Sequence, residues 1–386
     1  MEQCGVRKTY HYRLLPTPTQ AQVLETVVLR CRTLYNAALE QRKTWWGRGQ
    51  GIGASYSQQA RELPELKAAC PDYAAVHSQV LQDVLRRVDT TYQAFFRRVA
   101  KGDRPGSPRF QGANRYHSFT YPQYGNGAVL DGGILSLAKI GRIAVRLHRP
   151  LAGIPKTVTI SREADGWYAC ISCADAPIVP LPATGQETGI DVGLKALLIT
   201  ADGEPVDNPR HYRKAEQQLA KAQRRVSRRK KGSTRHRKAV ALLKRHHQQV
   251  QRQRRHFHHT TALDLLRAYD TIYLEDLQVG NMVRNPHLAK RISDAGWAAF
   301  RTILTSTAAY AGTWVIAVPA QYTSQDCSGV LPDGSRCTQR VAKSLSVRTH
   351  VCPLCGLVLD RDENTAKNIL QAGQARQAPT QPAGAY

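Results

Sequence analysis

Gly189-Ile190-Asp191-Val192-Gly193-Leu194-Lys195-Ala196-Leu197-Leu198-Ile199-Thr200 consists of two apolar, strand-like runs around a single aspartate. An unpaired charge inside an apolar strand is strongly disfavoured, so Asp191 either faces solvent in a hairpin or is neutralised by a cation. Taken alone, the segment leaves both readings open. Further along, Thr271-Ile272-Tyr273-Leu274-Glu275-Asp276-Leu277 repeats the arrangement, a β-branched and aromatic strand ending in a carboxylate. Asp362 supplies a third acid at the mouth of a helix expected over Asn364 to Gln371.

Carboxylates from two strands and a helix start can hold two divalent ions about 4 Å apart, one activating water and the other stabilising the leaving oxygen in phosphodiester hydrolysis. Hard oxygen ligands select Mg²⁺ or Mn²⁺. This is the layout of an RNase H-like nuclease, although three separated acids need context before they carry that conclusion.

Composition supplies part of the context. The 386 residues include 55 Lys+Arg against 29 Asp+Glu, a formal charge of +26, which suits a polyanionic partner. A hydrophobic content of 42% at this length predicts two or three domains with real cores. The start Met1-Glu2-Gln3-Cys4 lacks the apolar core of a secretory signal, and no apolar run reaches the roughly 18 residues of a membrane span. A cytoplasmic protein with no membrane partner is expected. Five of the nine cysteines (Cys4, Cys31, Cys70, Cys170 and Cys173) are scattered without a paired framework, as suits a reducing compartment.

Thr9 to Leu15 alternates like a strand, and Thr17 or Thr19 can cap a helix running from about Gln20 to Trp46. A glycine-rich turn over Gly47 to Gly53 follows, and helical spacing returns from Val76 to Val99, where Tyr92, Phe95 and Phe96 read as core. Ile134–Leu137, Arg142–Leu147, Thr157–Ser161 and Trp167–Cys173 form a small β-barrel completed by the N-terminal strand. Pro177 to Gln186 reads as a linker.

From Arg210 to His259 the chain is helical in texture and dense in Lys and Arg, with Glu216 its only acid and Gly232-Ser233 dividing it into two arms. Such charge is either a solvated helix face or, as its density favours, a contact surface for a nucleic-acid backbone. The candidate contacts are Arg224, Arg225, Arg228, Arg229, Lys230, Lys231, Arg235, Arg237 and Lys238. His246, His247, His256, His258 and His259 have no metal-ligand spacing and read as further backbone contacts.

Cys352-Pro353-Leu354-Cys355 is a zinc-knuckle pattern, whereas the partner pair, Cys327 and Cys337, is widely spaced. Leu331-Pro332-Asp333-Gly334-Ser335 can fold that gap into a hairpin that returns Cys337 to Cys327. Four thiolates would hold a structural Zn²⁺, with no position left open for water. The alternative is a finger held by packing alone.

The sequence resembles the TnpB family, the OrfB-type transposon-encoded RNA-guided nucleases related to type V CRISPR effectors. The resemblance is carried, in order, by Tyr12-Arg13-Leu14-Leu15-Pro16-Thr17-Pro18, Pro108-Arg109-Phe110, Gly189-Ile190-Asp191-Val192-Gly193, Ser227-Arg228-Arg229-Lys230-Lys231-Gly232-Ser233, Glu275-Asp276-Leu277, Ile292-Ser293-Asp294-Ala295-Gly296-Trp297, Tyr322-Thr323-Ser324-Gln325-Asp326-Cys327 and Asp360-Arg361-Asp362-Glu363-Asn364. It implies an RNA-guided DNA endonuclease that uses Mg²⁺ (or Mn²⁺), structural Zn²⁺ and a guide RNA from the transposon end, and cuts double-stranded DNA beside a short flanking motif. Asp191, Glu275 and Asp362 are then the RuvC-type catalytic acids and Mg²⁺ ligands, with Asp360 a neighbour. Tyr56 and Gln82 match the positions of motif-reading residues.

The implied fold is α+β and multidomain. A wedge β-barrel (1–16 and 113–176) carries a helical recognition insert (17–112). A linker (177–186) leads to a RuvC-like α/β nuclease (187–322 and 359–371) holding a zinc-finger insert (323–358), and residues 372–386 form a disordered tail. The widened Cys327 to Cys337 spacing departs from the family's usual two-residue gap and bears on zinc. Two other activities remain conceivable: an RNA-guided repressor that binds without cutting, and a transposase acting directly on DNA ends.

Overall fold

The computed structural model describes residues 5–47, 55–344 and 347–377. The chain divides into two compact units, Met1–Pro177 and Ile178–Tyr386.

In the first unit, β1 (Val6–Leu15) buries Tyr10, Tyr12 and Leu14 at every second position, as a strand with one core face must. It leads into α1 (Pro18–Gly47), with Pro18 at the position where a missing N–H costs nothing. Of the two candidate caps it is Thr17 that acts: its hydroxyl accepts the Gln20 N–H at 3.2 Å, and the Gln20 side chain accepts the Thr17 N–H at 3.0 Å. The expected turn over Gly47 to Gly53 lies almost wholly outside the described residues. Three short helices, α2 (Tyr56–Arg61), α3 (Leu63–Ala69) and α4 (Pro71–Ala74), precede α5 (Ser78–Ala100). Helix α5 buries Val80, Leu81, Val84, Leu85 and Val88.

Of the aromatic residues of α5, Tyr92 is half-buried against the core, whereas Phe96 is not core. Burial on this helix ends at Val88, so its last turns run past their cover. Phe96 stays 43% exposed, stacked on Tyr92 and edge-on to Phe95. The expected barrel is a seven-stranded antiparallel sheet. Its strands are β1 with β2 (Ser118–Tyr121), β3 (Ala128–Asp131), β4 (Ile134–Leu137), β5 (Gly141–Arg146), β6 (Ile154–Glu163) and β7 (Gly166–Ala176), in the order β2-β6-β7-β1-β5-β4-β3. The N-terminal strand completes it, as expected, from the middle, between β7 and β5. Tyr121, at the end of β2, donates its hydroxyl to the Ala138 carbonyl at 3.0 Å, which draws the sheet's two ends together.

The second unit is built on a five-stranded sheet, β8 (Glu187–Val192), β9 (Ala196–Thr200), β10 (Pro205–Asp207), β11 (Thr271–Glu275) and β12 (Trp314–Val318), in the order β10-β9-β8-β11-β12. β8, β9 and β10 pair antiparallel, and β11 pairs parallel with both β8 and β12. The crossovers hold α6 (His211–Ser227) and α7 (Thr234–Ala268), then α8 (Val279–Met282), α9 (Pro286–Ala295) and α10 (Trp297–Ala311). The chain ends with the hairpin β13 (Thr349–Val351) and β14 (Val358–Asp360), followed by α11 (Arg361–Gln377).

Alternation along β8 and β11 assigns their faces. Ile190, Ile272 and Leu274 pack with Ala262, Leu266, Phe300 and Leu304 of α7 and α10, whereas Tyr273 packs with Ile369 of α11. Gly189 is the point of closest approach to α11: a Cβ there would meet the Ala366 carbonyl oxygen at 2.1 Å and the Leu370 nitrogen at 2.5 Å. The glycine therefore serves packing rather than a turn. Gly189→Ala should destabilise this unit by about 3 kcal/mol, the upper end for overpacking because the obstruction is backbone, and thermal denaturation reads the loss.

Two boundaries differ from expectation. Residues 177–186 are irregular but not a free tether: Val179 and Leu181 donate to the Tyr310 and Ala311 carbonyls, and the Asp270 carboxylate accepts from the Thr184 and Gly185 N–H groups. Helix α11 begins at Arg361 and continues through residues 372–377, which were read as disordered. Its polar sequence hides the reason: Gly373 lies flat on the Tyr273 ring, and the Gln377 side chain accepts the Tyr273 hydroxyl at 2.8 Å. Residues 378–386 lie outside the described set.

Candidate metal centre

Asp191 and Glu275 occupy the α11 face of the sheet by the same alternation, because Gly189 and Tyr273, two residues earlier on each strand, both touch that helix. The parallel register pairs Leu274 with Ile190, so the next residue on each strand, Glu275 and Asp191, comes level. Asp362 stands in the first turn of α11, where the helix dipole favours a carboxylate. The backbone thus brings all three candidate acids to one end of one face.

The electrostatics shows their proximity. Asp191 is held well above the ordinary carboxylate range, first by burial and then by the negative charges of Glu275 and Asp362, with Arg361 opposing. Glu275 is also raised, by burial, against a close hydroxyl donation from Thr323. Asp360 has a different role: its Oδ1 accepts the Asp362 N–H at 2.8 Å, capping α11. Asp362 itself is flanked by Arg348 at 3.3 Å and Arg361 at 3.2 Å.

A raised carboxyl is one that the metal-free fold prefers to keep protonated. As pH rises through the ordinary aspartate value of about 3.9, the unfolded chain ionises before Asp191 does, so its contribution to stability falls and stays unfavourable at neutral pH. Asp191→Asn should therefore raise the melting temperature of the metal-free protein at pH 7, by roughly 2–4 °C for each kcal/mol of relieved repulsion. The gain should fade below about pH 4, where the wild-type carboxyl is neutral in both states.

Several participants carried no role in the sequence reading. Thr323, Arg348 and Arg361 touch the acids, and Trp297 donates its indole N–H to the Gly193 carbonyl at 3.2 Å, two residues from Asp191. The segment before Trp297 ties that strand to the basic helices. Asp294 accepts the N–H groups of Tyr212 and Arg213 at 2.9 and 3.2 Å, and the Ser293 carbonyl accepts from Arg254 at 2.7 Å. His258 is a core residue rather than a backbone contact: it is 1% exposed, donates Nε2 to the Ala295 carbonyl at 2.9 Å, and is lowered by burial. Its neighbour Phe257 is also partly buried, because the last turns of α7 join the core beneath the sheet through Ala262, Leu265 and Leu266. A cavity of about 410 Å³ opens beside Glu275, walled by Ile190, Leu274, Trp297 and Phe300, with Arg301 paired to Asp276 at 2.6 Å.

Ser233 caps α7 by accepting the His236 N–H at 3.1 Å, and the break between the arms falls at 228–233, as Gly232-Ser233 indicated. Arg224, Arg225, Arg228, Arg229, Lys230, Lys231, Arg235, Arg237 and Lys238 are all exposed. Tyr56 accepts from Arg86 at 3.2 Å, and Gln82 lies one turn before Arg86 on α5.

The sulfurs of Cys327, Cys337, Cys352 and Cys355 all lie within 4.8 Å of one another. Cys327 to Cys355 measures 3.5 Å and Cys337 to Cys352 3.7 Å, near the roughly 3.8 Å edge of a tetrahedron with zinc–sulfur bonds of about 2.3 Å. The long gap folds as the turn residues required. Leu331 and Ser335 close it by a backbone bond, the Asp333 carboxylate accepts from Ser335, and Val330 bridges Arg336. Burial raises the Cys327 thiol, whereas at Cys352 the backbone N–H groups of Cys355 and Leu354 and the neighbouring sulfurs outweigh burial and lower it.

A "Putative RNA-guided DNA endonuclease" of Streptomyces pristinaespiralis is 35% identical over 381 residues, covering 97% of this chain and 91% of its own length. The chain belongs to the TnpB family. A second relative, "Putative RNA-guided DNA endonuclease InsQ" of Escherichia coli (strain K12), is 28% identical over 388 residues, covering 95% of this chain and 92% of its own length. Residues 170–286 match the family model "Probable transposase", and residues 297–369 match "Cas12f1-like, TNB domain". Residues 1–51 match a model described as "Helix-turn-helix domain", although the described part of that stretch is one strand and one helix. Among solved structures, the fold resembles that in "Cryo-EM structure of the Cas12f1-sgRNA-target DNA complex" (TM-score 0.55, 12% identity, covering 92% of this chain and 83% of that one). It also resembles "Structure of the mini-RNA-guided endonuclease CRISPR-Cas_phi3" (TM-score 0.53, 9% identity, 99% and 94% covered). No helix among the described residues is long and apolar enough to cross a membrane.

Proposed function

We infer that this chain is an RNA-guided DNA endonuclease of transposon origin, with Asp191, Glu275 and Asp362 as its catalytic acids. The observation that carries the assignment of the acids is their convergence on the α11 face at the ends of two parallel strands, where burial and mutual repulsion leave Asp191 in need of a cation. A set of hard oxygen donors fits Mg²⁺ or Mn²⁺. Such ions, when bound, would activate water and stabilise the leaving oxygen of a phosphodiester. Asp191 and Glu275 would hold them from the sheet and Asp362 from the helix, with Thr323 fixing the Glu275 carboxylate and Arg361 offsetting the negative charge. Water is the nucleophile, so no covalent enzyme intermediate forms.

Recognition is divided between the RNA and the protein. The exposed arms of α6 and α7 grip a phosphate backbone without reading sequence, while base pairing to the guide selects the target. Tyr56 and Gln82 read the flanking motif from the first unit, with Arg86 beside them. The four thiols hold Zn²⁺ as a structural ion, and the 323–358 finger serves target binding. On this reading the wedge is 1–16 and 113–176, the recognition helices are 17–112 and the nuclease is 187–322 with 359–371.

The test is to purify the protein with its co-expressed transposon-end RNA, sequence that RNA, and add matching duplex DNA with Mg²⁺. A defined RNA and a cut duplex support the reading. A bound but intact duplex would point to a repressor, and cutting or joining of transposon ends without RNA would point to a transposase.

A further inference from the structure

We propose that Asn364 and Asn368 are positioning residues that lock the root of the cysteine finger onto α11, so that Thr323 and Asp362 are held in register around the metal centre. The inference rests on the assignment of Asp191, Glu275 and Asp362 above.

Both amides are buried, at 0% and 2% exposure, one turn apart on the helix that carries Asp362. Asn364 Oδ1 accepts the Ser328 N–H at 3.0 Å, and its Nδ2 donates to the Asp326 carbonyl at 2.9 Å. Asn368 Nδ2 donates to the Thr323 carbonyl at 2.9 Å and the Asp326 carbonyl at 2.7 Å, while Arg336 donates to its Oδ1 at 3.0 Å. The gripped backbone, 323–328, contains Cys327 of the four-cysteine cluster and, at its other end, the threonine whose hydroxyl reaches Glu275. One clamp on the helix of the third acid therefore holds the finger and reaches the second acid through Thr323.

Only a carboxamide serves here. The gripped groups present both carbonyl oxygens and an N–H, so the side chain must donate and accept, and a carboxylate would face the carbonyls with no proton to give. A buried carbonyl left without its donor loses far more than the bond itself was worth in water. An apolar residue would fill the space without fixing the finger's rotation relative to α11.

The test compares Asn364→Ala, Asn368→Ala and Asn368→Asp with wild type in the full chain with guide RNA, reading target binding, zinc content and cleavage rate across Mg²⁺ concentrations. Target binding and zinc content should stay at wild-type levels. Cleavage at limiting Mg²⁺ should fall roughly 10–100-fold, the range for removing a support behind metal ligands, with half-saturation shifted up and most of the rate recovered at high Mg²⁺. Thr323→Val, which removes only the hydroxyl on Glu275, should reproduce the Mg²⁺ shift and settles the matter if the amide variants fail to fold. Wild-type Mg²⁺ dependence in the folded amide variants, or in Thr323→Val, overturns the proposal. Asp362→Ala separates the two levels: it should stay inactive at every Mg²⁺ concentration, and if it cuts, the metal-centre assignment fails rather than the clamp.

Discussion

Asp191→Ala should abolish cleavage, by roughly a thousandfold or more, which corresponds to about 4 kcal/mol of lost transition-state stabilisation, while leaving RNA-dependent target binding intact. The separation follows from placement. Asp191 lies on the α11 face beside Glu275, whereas the proposed backbone contacts are the exposed cations of α6 and α7. A purely structural aspartate would behave differently, because its loss would weaken folding and binding together. Removing this one relieves repulsion, so the variant should be at least as stable as wild type without metal. Cleavage and gel-shift assays on one preparation check both halves.

Cys352→Ser should strip the finger of zinc and take cleavage with it. The four sulfurs meet within 4.8 Å, and a structural zinc site contributes on the order of 10 kcal/mol to the fold it closes. The finger is continuous with 323–328, which Asn364 and Asn368 hold against α11, so its opening should reach Glu275 and Asp362. Zinc content should fall from about one per chain to none, the melting transition should broaden, and cleavage should drop by roughly tenfold or more. Full zinc content in Cys352→Ser would show that these thiols do not form the site.

What was legible in the sequence was whatever a local pattern dictates. Apolar, strand-like runs interrupted or ended by an acid located β8 and β11, Gly232-Ser233 located the break between the arms, and the turn residues of 331–335 foretold the return of Cys337. What stayed hidden depends on partners distant in the chain. Residues 372–377 are polar and read as tail, yet Gly373 packs on Tyr273 and holds them helical. Phe95 and Phe96 read as core by composition, but α5 outruns its cover after Val88. His258 looked like one of several equivalent histidines until Ala295, far along the chain, supplied its acceptor. Asn364 was part of a quoted motif with no role, since nothing nearby in sequence shows that its amide meets Ser328.

The most direct test of the central claim is a guide exchange. The protein is loaded with an RNA whose target-matching segment has been replaced, and cleavage is mapped on a plasmid carrying both the old and the new target beside the same flanking motif. The cut should move wholly to the new target, require Mg²⁺ and vanish in Asp191→Ala. Cutting that stays at the old site, or proceeds without RNA, would contradict the account.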